Sequence, residues 1–170
     1  MSVVTFERMQ DSARLWIYAA ERAFTDDEIE MLNKEMFRFL EQWTAHNQDL
    51  ITSWRLKYAR FIMIGVDESL TPASGCSIDS MVRHLSDFEK RIGAHIVNTH
   101  TMIFYRDRLG DIQCVARLQF KGLCEEGAVR ENSVVFNNTI QSIAELKQGL
   151  WEVPMKDSWH YEVFGKAVSV

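Results

Sequence analysis

Cys76 is the residue whose type and position best suit covalent chemistry. It stands between Gly75 and Ser77, directly before a segment with helical spacing of apolar residues. A helix N-terminus offers free backbone amides and a positive partial charge, and both favour the thiolate form of cysteine. Gly75 would also let the backbone approach a ligand closely. The alternative is structural: Cys76 is a small buried residue in a tight turn, and Ser74 and Ser77 cap the helix.

Two carboxylates, Asp67 and Glu68, follow the apolar segment 61–66. Ligands of open α/β sheets gather outside the carboxyl ends of the strands, so a carboxylate here could bind a metal, orient a histidine or act as a general base. Equally, Asp67 could accept hydrogen bonds from loop amides and order the chain up to Gly75. Both interpretations make the loop a rigid feature.

His46 and His160 are the histidines best placed to join such a site, because each ends a cluster of polar and aromatic residues. Cys76, Asp67 and one of these histidines would form a thiol version of the nucleophile, base and orienter arrangement. A metal held by His46, Cys76 and His160 is disfavoured, since none of them has the short-range spacing of zinc ligands. We therefore predict no metal and no cofactor.

A binding surface is the other prediction, made of the loop 67–79 and the tail 151–160. The tail is rich in aromatic and polar groups and would fray unless it were docked, so we expect it to pack against the loop. The predicted binding residues are Glu68, Ser69, Ser74, Gly75, Ser77, Asp79, Trp151, Lys156, Asp157 and Trp159. In the structural alternative, the tryptophans belong to the core and Lys156-Asp157 is a solvated turn pair.

The elements that would position these residues begin with a strand at 15–20. Thr25 and Glu28 form a capping-box pattern that predicts a long amphipathic helix from there to about Ala45. Segment 61–66 has no polar alternation, which is typical of a central strand covered on both faces. A second helix is expected from Ser77 to Ile92, ended by Gly93.

The second half of the chain has a different pattern. Segments 102–106 and 112–116 predict a hairpin, 118–126 a short helix closed by Gly127, 134–136 a strand and 143–148 another short helix. Pro154 indicates that the tail 151–164 is extended. The predicted fold is α+β, with a mixed sheet, a long N-terminal amphipathic helix, a second helix packed on it, and then a hairpin-helix-strand lobe. Residues 1–14 would be a loose arm, and 15–165 one domain, either undivided or built as lobes 15–98 and 99–165.

Composition excludes several classes of protein. The 170 residues are 46% hydrophobic and 25% charged, which is typical of a folded protein rather than a disordered or membrane one. A net charge of −5 argues against a nucleic-acid binder. Three cysteines without a C-x-x-C spacing fit reduced thiols, and no signal peptide is visible. We therefore expect a soluble cytoplasmic protein that binds neither nucleic acid nor membrane.

Several stretches carry a resemblance to a known family. They are FLEQWTAHN at 39–47, VDES at 66–69, ASGCSID at 73–79, VFNN at 135–138, WEVP at 151–154 and KDSWH at 156–160. On these stretches, the chain from about Trp16 to Phe164 resembles a family of small uncharacterised bacterial proteins that often carry the label "ABC transporter ATPase". Such an ATPase needs G-x-x-x-x-G-K-[ST] to hold the phosphates, and no glycine of this chain begins that spacing. The residues therefore do not support the label.

A second resemblance is local. The layout of residues 103–151, with a hairpin, a short helix ending in Gly127, a strand and then Trp151, is similar to that of GYF-type peptide-binding modules. It departs from them in segment 139–150, which inserts a helix before the tryptophan.

The function predicted first is a non-enzymatic binding module that uses loop 67–79 and tail 151–160 toward a protein or small-molecule partner. The alternative is a small thiol- or carboxylate-dependent enzyme centred on Cys76 and Asp67. A structural subunit of a larger complex is the third hypothesis.

Overall fold

A computed structural model describes residues 3–45 and 48–168, and it confirms the α+β class. The strands are β1 (Arg14–Ala19), β2 (Thr44–Ala45), β3 (Gln48–Asp49), β4 (Ile51–Lys57), β5 (Phe61–Asp67), β6 (Met102–Arg106), β7 (Ile112–Ala116), β8 (Val134–Phe136) and β9 (Glu152–Pro154). The α-helices are α1 (Asp26–Gln42), α2 (Gly75–Ile92), α3 (Arg117–Glu125), α4 (Ile143–Lys147) and α5 (Trp159–Phe164). Short 3-10 helices occupy Phe6–Arg8, Val97–Thr101, Met155–Asp157 and Gly165–Ala167.

The strands form two main sheets and one short pair. The first sheet has the order β1-β5-β4 and the second the order β7-β6-β8-β9, while β2 pairs with β3. Every pairing between these strands is antiparallel, so the expected mixed sheet is replaced by antiparallel ones. Strand β5, apolar from Phe61 to Val66, is buried on both faces because helices cover one face of its sheet and the second sheet covers the other.

Three hydrophobic clusters separate four layers in the order helices, sheet, sheet, helices. The first cluster lies between α1, α2 and the first sheet, and contains Ile62 and Ile64 of β5. The second joins the two sheets, with Phe61 of β5 beside Phe104 and Phe136. The third packs the far face of the second sheet against α3 and α5. Burial of apolar area in these clusters is the main source of stability.

The long helix α1 begins as its sequence predicts. The Thr25 hydroxyl accepts the backbone N–H of Glu28, and the Glu28 carboxylate accepts that of Thr25, so both halves of the capping box are present. Helix α2 packs on α1, where Arg91 donates to both carboxylate oxygens of Glu35. The helix-on-helix arrangement is therefore confirmed.

Residues 3–14 are docked rather than forming a loose arm. Val4 donates its backbone N–H to Thr52 of β4 at 2.9 Å. Phe6, Met9 and Ala13 are buried in the cluster between the sheets, which holds this segment against the first sheet. The polar residues between them obscured this apolar spacing in the sequence.

The tail is extended only at its start. Strand β9 pairs with β8, but a 3-10 turn follows at once, and residues 159–164 form α5. Pro154 excludes helix at and just before its own position, and a new helix can begin after Ser158, whose carbonyl accepts the N–H of Tyr161 at 2.9 Å. The prediction of an extended segment to Phe164 is therefore wrong.

Candidate functional site

Cys76 lies in the first turn of α2 and is exposed, so it is neither buried in a turn nor placed before the helix. It borders an open surface groove between the end of α1 and the start of α2. The other described residues around this groove are Phe39, Gln42, Trp43, Thr44, Ser74, Ser77 and Ser80. None of them is a histidine or a carboxylate that could activate the thiol. His46, the predicted base nearest in sequence, lies outside the described residues.

Helix α2 is capped three residues earlier than its sequence predicts. Ser74, not Ser77, is the N-cap residue, and its hydroxyl accepts the Ser77 N–H at 3.1 Å. Ser77 is buried, and its carbonyl accepts the indole N–H of Trp43 at 2.8 Å. Gly75 has open space around it and Asp79 is exposed. These residues thus build and anchor the helix start.

Asp67 and Glu68 hold the loop that follows β5. The Asp67 carboxylate accepts the Ser69 N–H at 2.9 Å, and the Glu68 carboxylate accepts the Ala73 N–H at 3.0 Å. Glu68 also lies 3.6 Å from a guanidinium nitrogen of Arg14. Both carboxylates and Ser69 are therefore engaged in ordering the loop.

Trp151 belongs to the core between the sheets and not to a surface shared with loop 67–79. Its ring packs edge-on against Phe61 at 5.0 Å, and its indole N–H donates to Asn138 at 2.9 Å. Phe61 begins β5, and Asp67 ends it six residues later, roughly 20 Å away along an extended strand. The structure therefore does not bring Trp151 and Asp67 together.

Lys156 and Asp157 are exposed in the 3-10 turn after β9. The backbone N–H of Lys156 donates to Glu131 at 2.9 Å, which fixes the turn without using either charged side chain. Lys156 and Asp157 are thus a solvated turn pair, as the structural alternative predicts.

Trp159 and His160 open α5, and their rings stack at 3.9 Å. His160 is fully buried, and its Nδ1 lies 2.7 Å from the hydroxyl of Ser158. Burial, together with the nearby charge of Arg117, lowers the pKa of His160 to about 4. The imidazole is therefore neutral at pH 7 and a weak base, which makes the Ser158–His160 pair unsuited to general-base catalysis.

These two rings line a cavity of about 150 Å³ at the junction of the sheets, here called the inter-sheet cavity. Its other walls come from β1, from residues between 96 and 102, and from residues between 136 and 139. No lysine, arginine, aspartate or glutamate of the described residues lines it. Burial raises the pKa of Tyr18, which also lines it, to about 12, so this phenol is neutral as well.

A second cavity of about 280 Å³, here called the edge cavity, adjoins the first. Both are lined by Ile17 and Tyr18 of β1 and by Asn138 and Thr139 opposite them. The edge cavity continues along β1 to Arg14. Together the two cavities form a groove along one side of β1, which we call the β1 groove.

The side of β1 that faces this groove is the edge of the first sheet. Strand β1 pairs with β5 only through alternate residues, so the backbone groups of the others point away from the sheet. Three bonds show which residues point outward: Leu15 N–H donates to Gln141 at 2.8 Å, the carbonyl of Ala19 accepts the Thr99 hydroxyl at 2.6 Å, and Glu21 N–H donates to His95 at 2.9 Å. The outward residues are therefore 15, 17, 19 and 21.

Between these bonds the edge is open. The carbonyl of Leu15, the N–H and carbonyl of Ile17, and the N–H of Ala19 have no hydrogen-bond partner within the described part of the chain. Gln141 closes the open stretch at its Leu15 end, and Thr99 closes it at its Ala19 end. It therefore offers a short row of alternating acceptors and donors inside a groove.

Sequence reasoning identified β1 as a strand but not as the edge that lines a groove. Whether a strand is central or at an edge depends on long-range pairing, and the β-branched and aromatic run that begins at Leu15 carries no sign of it. The one usable signal is Asn137-Asn138, which ends the strand at 134–136 and directly precedes Thr139, where the chain diverges from β1.

Comparison of the chain with family models, with curated proteins and with solved structures found no match. Among the described residues, no helix has the length and apolar character needed to cross a bilayer. Nor do residues 3–45 and 48–168 contain a group of three or more histidines, cysteines and carboxylates able to hold a metal ion.

Proposed function

We propose that this chain is a binding module for an extended polypeptide segment, which adds a strand to the open edge of β1. The observation that carries the proposal is the row of four unpaired backbone groups between Leu15 and Ala19. A bound strand would satisfy all four, and main-chain hydrogen bonds of this kind supply affinity in strand addition. A binding module is also the class predicted from the sequence, but the binding surface proposed here is the β1 groove and not loop 67–79 with tail 151–160.

The surroundings of the edge favour a single strand as the occupant. Residues 96–102 and residues 138–141 line the space beside the open edge, so a bound segment would lie between them as one strand. A side chain that pairs with Ile17 would lie on the same face as Ile17. On that face it meets Met102 and Phe136 of the inter-sheet cavity, which favours an apolar residue at this position.

An enzymatic function has weaker support. Cys76 has no activating base among the described residues of its groove, and Asp67 is occupied by the loop. His160 takes up a proton only near pH 4. We also propose a cytoplasmic location, which is supported by three cysteines without a C-x-x-C spacing.

The experiment begins with selection of random linear peptides against the full chain, followed by synthesis of the selected sequence. Backbone N-methylation is then introduced at one residue at a time. Because only alternate residues of an added strand direct their N–H groups to β1, binding should weaken by about tenfold at every second position of the paired segment. Weakening without this period of two, or failure to select any peptide, would contradict the proposal.

Variants of the chain locate the site. Thr139 is exposed and lines both cavities, so Thr139→Trp should fill the groove and abolish peptide binding without disturbing the core. Thr139→Ser is the matched control, since it retains the hydroxyl that donates to Asn137 at 2.6 Å. Equal affinity of both variants for the peptide would place binding elsewhere.

A further inference from the structure

We infer that the segment bound in the β1 groove is the C-terminal end of a partner polypeptide, running antiparallel to β1, with its terminal carboxylate at Arg14. This inference rests on the proposed function and specifies its ligand. The backbone alone does not select a direction, because a parallel and an antiparallel strand can each satisfy the four open groups. The two ends of the groove differ, however, in charge.

Arg14 marks the Leu15 end. It lines the edge cavity, and its side chain is 43% exposed. The guanidinium lies 4.5 Å over the ring of Trp16, which orients it. None of the guanidinium N–H groups makes a hydrogen bond within the described residues, so the guanidinium can still donate two parallel hydrogen bonds to a carboxylate.

Two native carboxylates lie near this end and must be considered. Glu68 forms an ion pair with Arg14 at 3.6 Å, but at this distance it accepts no hydrogen bond from the guanidinium, and the same oxygen already accepts the Ala73 N–H. Glu145 is directed to the backbone amides of Gln141 and Ser142 and to the Ser142 hydroxyl. Neither of them completes the coordination of the guanidinium.

Pairing also has to stop at this end. The N–H of Leu15 is taken by the carbonyl of Gln141, so a bound strand whose N–H reaches the Leu15 carbonyl has no further donor to pair with. It must end there or turn away. A chain terminus satisfies this condition without a turn, and its charge then falls beside Arg14.

A negative charge lies beyond the other end of the groove. Glu21 follows the Ala19 end, where its carboxylate accepts the His95 N–H at 3.0 Å. A parallel strand would bring its own C-terminal side toward Glu21 and its N-terminal side toward Arg14. An antiparallel strand avoids both unfavourable pairings, so charge complementarity favours it.

The test compares three forms of one selected peptide: a free C-terminal carboxylate, a C-terminal amide, and the free acid extended by two alanines. We expect the free acid to bind about tenfold more tightly than the other two forms. In Arg14→Gln the preference for the acid should disappear, whereas in Arg38→Gln, which removes an exposed arginine of α1, it should persist.

Each outcome decides a separate point. Equal binding of the acid, the amide and the extended peptide would overturn the terminal carboxylate while leaving strand addition intact. Binding of the extended form as tight as that of the free acid would likewise overturn it. Absence of binding by all three forms would overturn the proposed function itself.

Discussion

The backbone N–H of Leu15 donates to the carbonyl of Gln141 at 2.8 Å, and this bond is the last one between β1 and the segment that contains α4. Two residues before Leu15, the carbonyl of Ala13 accepts the N–H of Ile143. Beyond Leu15 these two segments of the chain diverge, because Thr139 donates its N–H to the side chain of Asn137 and not to β1. The β1 groove exists because of this divergence.

The turn between β4 and β5 is strained in a way that a single substitution should relieve. Tyr58 and Ala59 have φ values of 54° and 48°, and the Arg60 N–H closes the turn on Lys57 at 3.1 Å. Residues with a Cβ atom are disfavoured in this region. We expect Ala59→Gly to raise the free energy of unfolding by about 1 kcal/mol, measured by urea denaturation.

The control for that substitution is Ala144→Gly. Ala144 lies in α4, where glycine should lower the free energy of unfolding by up to about 1 kcal/mol. If both glycine variants were destabilised alike, the turn would not be strained.

This turn also shows why part of the fold could not be predicted. The sequence Tyr58-Ala59 contains none of the glycine or asparagine that usually marks such a hairpin, so the local pattern predicts no tight turn here. Tertiary contacts select it instead: Tyr58 packs against Trp151 and donates to Glu152, and the Ala59 carbonyl accepts the Phe24 N–H. By contrast, the capping box at Thr25 and the strand at 134–136 are local signals, and the structure confirms them.

In the candidate site, too, local signals could be predicted from the sequence and tertiary contacts could not. The strand at 15–20 was predictable from its β-branched and aromatic residues, whereas the groove beside it ends at Gln141, which lies more than a hundred positions away. The tail was misplaced because aromatic and polar groups around Pro154 indicate a docked segment without indicating its partner. Trp151 docks at the Phe61 end of β5, not at the Asp67 end.

Acid should destabilise the protein through His160. The unfolded state takes up a proton near pH 6.5, whereas the folded state does so only near pH 4, so stability is lost as the pH falls between these values. The loss should be on the order of 3 kcal/mol. Burial lowers the pKa of His84 too, so it adds to the loss in the same direction, while Glu28, whose pKa is lowered to about 2 by Arg22, contributes only below about pH 4.5.

Urea denaturation at a series of pH values measures this dependence. In His160→Gln the slope between pH 6.5 and 4 should become shallower, whatever the variant's stability at pH 7. His100→Gln, at an exposed histidine, serves as the control and should retain the native slope. A slope unchanged by His160→Gln would show that this imidazole is not the group responsible.

Alkylation should distinguish the three cysteines. Cys76 is exposed, whereas burial raises the pKa of Cys114 and of Cys124 to about 11. Because the thiolate is the reacting form, we expect Cys76 to be modified first near neutral pH. Peptide mass spectrometry after brief treatment of the native protein measures the order, and earlier modification of either other cysteine would contradict it. Cys76→Ser should leave peptide binding unchanged, since the β1 groove does not include it.

Amide hydrogen exchange, resolved residue by residue by NMR, tests strand addition at β1 most directly. In the free protein, the N–H groups of Ile17 and Ala19 should exchange much faster than those of Trp16 and Tyr18, which pair with β5. Addition of the selected peptide should slow Ile17 and Ala19 by at least about tenfold and leave Trp16 and Tyr18 little changed. Exchange at Ile17 and Ala19 that stays the same while the peptide is bound would contradict binding at this edge.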